Sequence, residues 1–168
     1  IMSVKIIAEL GINAGDCFDT LCRMAETALE CGADYVKGQK RCIAECLTEE
    51  QRNAPYPGPN SFGATYGEHR EALEFSAEQW GKLMEMFPGK VFCTVFDKTS
   101  ASEMHHLDCS IVKIGSANTA DLELISFVAG IFDEVILSTG MSTEREVLNA
   151  IHCFSSHRPI STPELVVM

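Results

Sequence analysis

Basic residues are scarce in this sequence. Lysine and arginine number 13 against 24 aspartates and glutamates, for a formal net charge of −11. That balance argues against a nucleic-acid or anionic-membrane surface, although local lysines can still oppose the global field and hold a small anion. Long apolar runs are missing as well. None approaches the roughly 20 residues of a membrane helix, and the start shows no basic region followed by an apolar one. The eight cysteines include no CxxC pair and fall mostly within helix or strand patterns. They are expected to be reduced thiols of a cytoplasmic protein without a structural zinc site. No GxGxxG follows the first predicted strand, which removes the main signal for a dinucleotide fold.

What is present is a core-forming composition and a repeated strand-end pattern. At 168 residues and 46% hydrophobic the chain can bury a sizeable core, and one domain is expected. Ile111-Val112-Lys113-Ile114-Gly115-Ser116 carries the argument. Apolar residues flank Lys113 as in a strand of a covered parallel sheet, where an unpaired lysine costs several kcal/mol. Such a lysine either finds a carboxylate or the rim, or it serves a ligand. Gly115 and Ser116 then offer flexible backbone and a hydroxyl beside the amine, which suits a small anion.

The pattern recurs in chain order. A strand over Ser3–Ala8 leads to Glu9 and Asn13, and Asp16 is the expected cap of a helix that Gly32 stops. Asp34–Gln39 reads as a second strand with Tyr35, Lys37 and Gln39 on one face. From about Lys40 to Glu74 no period is sustained, and prolines and glycines predict a long functional loop. Ser76 caps a helix to about Phe87, Lys90–Thr94 is a third strand with Asp97 close behind, and Ser100–Leu107 a short helix whose His105-His106 pair faces solvent. The fourth strand ends at Ser116. A helical pattern over Leu122–Ala129 then precedes a fifth strand, Glu134–Ser138. Thr143 and Glu146 fit a capping box for a helix to about Phe154. Ser155–Pro163 reads as loop, and a sixth strand begins at Leu165.

Strands alternating with helices indicate a parallel α/β sheet. Polar groups stand at the C-terminal ends of five successive strands: Glu9 and Asn13, Lys37 and Gln39, Thr94 and Asp97, Lys113 and Ser116, Ser138 and Gly140. An open doubly wound sheet gathers ligands at one switch point, whereas a (β/α)8 TIM barrel directs every such end to one site. The distribution favours the barrel, of which only about the first five to six βα units are expected within 168 residues.

Five stretches together resemble the sialic acid synthase family: Ala8–Asn13, Gly32–Gln39, Thr65–Arg70, Val112–Ser116 and Ile136–Ser142. The resemblance implies the N-terminal part of a TIM-barrel enzyme that joins phosphoenolpyruvate to an N-acetylated amino sugar such as N-acetylmannosamine. Divalent manganese or magnesium would polarise the sugar aldehyde. By position, Lys37, Lys113, Ser116 and Ser138 match phosphoenolpyruvate contacts, with Thr94 and Gly140 bordering them. Glu9 and Gln39 match sugar-side groups, and a loop carrying Tyr66 to His69 would lie over the sugar. Glu9, Lys37 and Lys113 are taken as the catalytic groups. The chain departs from the family pattern at Asn13-Ala14-Gly15, at Gly38, where a bulkier residue is usual, and at Ala117. The resemblance places the two metal-binding histidines past Met168, so residues 1–168 are expected to supply no metal ligand. The last barrel strands and the antifreeze-like domain are likewise expected to be absent. It also implies a homodimer. The alternatives are another phosphoenolpyruvate-condensing barrel, or a non-catalytic barrel piece that binds or assembles.

Overall fold

The computed structural model describes residues 4–157 and 164–168. The chain divides into two compact units, Ile1–Val91 and Phe92–Met168.

The first unit opens with β1 (Ile7–Gly11), α1 (Phe18–Glu30) and β2 (Tyr35–Lys40). β1 pairs in parallel with β2, with Glu9 directly opposite Lys37 and a bulge that brings Gly11 opposite Gly38. The strand therefore lies further along the chain than Ser3–Ala8, and Ser3 itself is outside the described residues. Gly11 has φ +60°, which supports the bulge at low steric cost. α1 buries Leu21 and Ala25, four residues apart on one face. Successive turns (Asn13 N–H to Leu10, Gly15 N–H to Ile12, Cys17 N–H to Ala14) carry the chain past Asp16. Cys17, not Asp16, thus occupies the N-cap, with no side-chain cap. At the other end Gly32 has φ +100°, its N–H reaches Leu29 and the Ala33 N–H reaches Ala28. This paired closure of the last carbonyls is a Schellman motif, and Gly32 stops the helix as expected.

The segment expected to be a loop contains three short helices, α2 (Ile43–Cys46), α3 (Glu49–Asn53) and α4 (Tyr66–Ala72). Thr48 with Gln51 and Thr65 with Glu68 form complete capping boxes. Pro55 bridges Thr65 in an antiparallel sense. One-to-two-turn helices are too short to display a period, so the caps of α3 and α4 are their only sequence signal, and α2, which has no side-chain cap, shows none. α5 (Ala77–Met86) follows with its Ser76–Gln79 box and buries Trp80 and Leu83.

β3 (Val91–Val95) runs from the end of the first unit into the second and is buried at every residue, as in a strand covered on both faces. The second unit continues with α6 (Lys98–His106), β4 (Ile111–Ile114), a short 3-10 turn (Ser116–Asn118), α7 (Leu122–Ile131), β5 (Glu134–Leu137), α8 (Glu144–His157) and β6 (Glu164–Val167). β3, β4, β5 and β6 pair in that order, each parallel to the next. α6 begins two residues before the expected Ser100 because Asp97 caps it: Oδ1 accepts the Ser100 N–H at 2.6 Å and Oδ2 its hydroxyl at 2.9 Å. α8 starts at the expected box, with Glu146 Oε2 accepting from Thr143 N–H and Oγ1 at 2.7 and 2.8 Å. It extends to His157, beyond the expected Phe154. Of the loop read over Ser155–Pro163, residues 158–163 lie outside the described residues. Phe92, Val112, Ile114, Leu124, Val128, Leu137 and Phe154 form the heart of this unit's core.

Five βα units and a sixth strand are thus described, the strand–helix alternation of a partial (β/α)8 barrel.

Candidate functional site

In the first unit the register of β1 and β2 sets the chemistry. Because Glu9 and Lys37 are register partners, the Lys37 ammonium pairs with Glu9 Oε2. Lys37 is buried while Glu9 is half exposed, so the pair lies where buried strand meets solvent. This answers the cost of a lysine in a strand without using up the site, since the second oxygen of Glu9 faces Gln39. Gln39 Nε2 stands 3.5 Å from Glu9 Oε1.

Gly38, between Lys37 and Gln39, has its own reason. A Cβ built there would lie 2.2 Å from Trp80 Cη2. The indole of α5 therefore occupies the space a bulkier residue would need, which explains the departure at this position in terms of packing. Trp80 is buried and its Nε1 has no hydrogen-bond partner.

Tyr66 and His69 sit on α4 rather than on a loop. His69 is buried, and its Nδ1 accepts the Phe62 N–H at 3.3 Å. Its ring lies 4.5 Å from that of Tyr56, and Tyr56 lies 5.3 Å from Tyr66. Tyr56 thus joins the two predicted residues in one aromatic group.

The second unit brings five predicted residues together at the ends of β3, β4 and β5. Thr94 is the register partner of Lys113, and Lys113 that of Ile136. Lys113 is half-buried, less enclosed than Lys37, and Thr94 is buried. A Cβ added at Gly115 would lie 3.6 Å from Thr94 Cγ2, and one at Gly140 would lie 3.5 Å from Ser116 Cβ. The Ser138 N–H donates to the Ile114 carbonyl at 3.1 Å, continuing the ladder past β5.

Thr119 holds the two serine-bearing ends. Its hydroxyl lies 3.1 Å from the Ser116 carbonyl and 2.7 Å from the Ser138 carbonyl. Beyond Ser138, Thr139 is tied to Met168 through its N–H at 2.9 Å and its hydroxyl at 2.7 Å. Lys113, Ser116 and Ser138 thus lie at neighbouring strand ends, and an ammonium and two hydroxyls are donor types that suit an oxyanion.

Asp97, expected among the strand-end polar groups, spends both carboxylate oxygens on the α6 cap. His105 and His106 are exposed, as expected. None of the eight cysteines forms a disulfide among the described residues. Burial pushes Cys109 up to about 11, with its thiol 3.1 Å from the Ile111 carbonyl. Among the described residues no three His, Cys, Asp or Glu side chains come together as a cation site. The described residues therefore offer no such group to the divalent metal implied by the resemblance, and no chemical step is assigned to one. Among the described residues no helix is long and apolar enough to cross a membrane.

Four further residues complete this picture without having been singled out in the sequence. Arg41 continues the alternating face of Lys37 and Gln39, a signal visible in the pattern of twos. Glu74, Thr119 and Trp80 gave none, because each acts on a partner brought near only by folding.

Comparison with known proteins bears on the family and the fold. Residues 24–167 match the NeuB family. N-acetylneuraminate-9-phosphate synthase from Mus musculus is 33% identical over 141 residues, which are 82% of this chain and 39% of that protein. N,N'-diacetyllegionaminic acid synthase from Campylobacter jejuni is 28% identical over 151 residues, 88% of this chain and 45% of that protein. The crystal structure of N-acetylneuraminic acid synthetase from Leptospira borgpetersenii superimposes with a TM-score of 0.77 at 25% identity, covering 99% of this chain and 53% of the other. The chain thus spans about two fifths of the length of these curated relatives.

Proposed function

The chain belongs to the NeuB family, and from that premise we propose that the protein carrying it condenses phosphoenolpyruvate with an N-acetylated amino sugar to give a nonulosonate and phosphate. The alkene carbon of phosphoenolpyruvate forms a bond to the sugar aldehyde carbon, whose oxygen takes a proton. Water adds to the resulting cation, and phosphate leaves by C–O cleavage as the carbonyl of the product forms.

The observation that supports this reading best is the cluster at the ends of β3 to β5, where Thr94, Lys113, Ser116, Ser138 and Gly140 converge. In this proposal Lys113 and the two serines hold the anionic groups of phosphoenolpyruvate. The resemblance gives Lys37 the same role from β2, where its ammonium pairs with Glu9 Oε2. Glu9 and Gln39 offer an acceptor and a donor to sugar hydroxyls, with Tyr66 and His69 on the sugar side. The partners are small molecules, and the homodimer is carried by resemblance alone.

Lys113→Ala is expected to abolish phosphoenolpyruvate binding, since a charge-assisted contact of this kind contributes roughly 1.5–3 kcal/mol. Titration calorimetry of phosphoenolpyruvate into the complete gene product checks this, and unchanged affinity would overturn the assignment. A second reading, in which the acceptor is itself phosphorylated, is favoured by the name of the mouse relative. Phosphate release measured with the free and the phosphorylated amino sugar separates the two.

A further inference from the structure

The polar ends of β1 and β2 do not stop at Gln39. Arg41 Nη2 donates to Gln39 Oε1 at 2.7 Å. The backbone N–H of Arg41 donates to Glu74 Oε2 at 2.9 Å, and its Nη1 lies 3.7 Å from Glu74 Oε1. The two side chains are only 15% and 11% exposed. At 3.7 Å the enclosed Nη1–Oε1 contact is a charge contact rather than a hydrogen bond, and the hydrogen bond to Glu74 runs from the Arg41 backbone N–H. Burial, the first cause in each case, raises the Glu74 carboxyl and lowers the Arg41 guanidinium from their ordinary values.

The consequence falls on Gln39. A side-chain amide carries an acceptor at one end and donors at the other, and in open solvent the two ends exchange freely. A guanidinium offers donors alone. Arg41 therefore holds the oxygen end of Gln39 and turns Nε2 toward Glu9 Oε1. The other oxygen of Glu9 belongs to Lys37. Direction is passed from Glu74 to Arg41, then to Gln39 and Glu9.

The geometry points to Arg41, clamped by Glu74, as a positioning residue that fixes which end of Gln39 an acceptor sugar meets. This rests on the sugar-side reading of Glu9 and Gln39 given above. Glu74 stands between α4 and α5, so the same pair also closes the base of the segment bearing α2 to α4. A purely structural clamp would have that effect alone, with none on substrate discrimination.

The test uses the complete gene product with three variants. Arg41→Met/Glu74→Leu removes both charges and leaves neither buried without its partner. Arg41→Lys keeps a donor without the two-armed geometry. Gln39→Ala reports the role of the amide itself and identifies its side-chain NMR signal by loss. The expected result is a rise of roughly tenfold in KM for the acceptor sugar in the double variant, with KM for phosphoenolpyruvate held within about twofold and partial recovery in Arg41→Lys. The Gln39 side-chain amide signal should shift in the double variant. Equal changes in both KM values, or an unmoved amide signal, would overturn the proposal. If Gln39→Ala leaves the acceptor KM unchanged, the sugar-side reading falls and takes the positioning role with it. If Gln39→Ala raises that KM and the double variant does not, the positioning role alone falls.

Discussion

A single added methyl at Gly38 would land 2.2 Å from the ring of Trp80, far inside any real contact distance. Gly38→Ala is expected to destabilise the fold by about 1–3 kcal/mol through overpacking. Trp80→Phe should relieve much of that, because it opens the crowded space and removes an indole N–H that has no partner. Denaturant unfolding of the two single variants and the double checks this, and strictly additive losses would refute the interlock. At this scale the sequence displayed the candidate site side chains but not their supports. Lys37, Lys113, Ser116 and Ser138 were legible because polar residues at apolar strand ends demand a reason. The absence of a larger side chain at 38 was legible too, while its cause lay 42 positions away at Trp80. Glu74 was hidden for the same reason, since only folding brings it to Arg41, whereas Arg41 itself shows in the alternation after Lys37 and Gln39.

Among the elements, strands and the longer helices were readable from apolar period and caps, as the Ser76–Gln79 and Thr143–Glu146 boxes illustrate. α2 to α4 were not, since helices of four to seven residues show no repeat. One strand pair carries a pH-dependent element. Glu134 on β5 and Glu164 on β6 are direct register partners. Burial first, then the charge of Glu164, raises the Glu134 carboxyl above the ordinary glutamate value. The folded state therefore holds this proton more tightly than the unfolded chain does. Its contribution is fully present below the unfolded value, about 4.3, and is lost as pH rises through the raised one. Glu134→Gln should flatten stability across that interval and raise it at neutral pH, by no more than about 1 kcal/mol given the solvent screening of this half-exposed group. Chemical denaturation from acid to neutral pH tests the sign, and a wild-type stability that climbs more steeply than the variant's would contradict it.

For the whole molecule, the exposed apolar residues matter most. Val4 and Ile6 at the approach to β1 are 87% and 59% exposed, and Val167 and Met168 at the end of β6 are 45% and 62% exposed. β6 pairs with β5 along one side, and among the described residues nothing pairs along its other side. A strand edge of this kind is a template for another chain. The 168-residue chain alone is expected to self-associate as concentration rises. Sedimentation over a hundredfold concentration range would show it, and a monomer with a sharp cooperative melt would count against the open edge. Thr119 has a subtler effect. It is almost fully buried, so water cannot supplement it, and its one hydroxyl proton is divided between the carbonyls of Ser116 and Ser138. The Ser116 carbonyl also accepts the Thr119 N–H at 3.4 Å, so one residue grips that end through both backbone and side chain. The serine-bearing ends of β4 and β5 are thereby stapled together by a single residue.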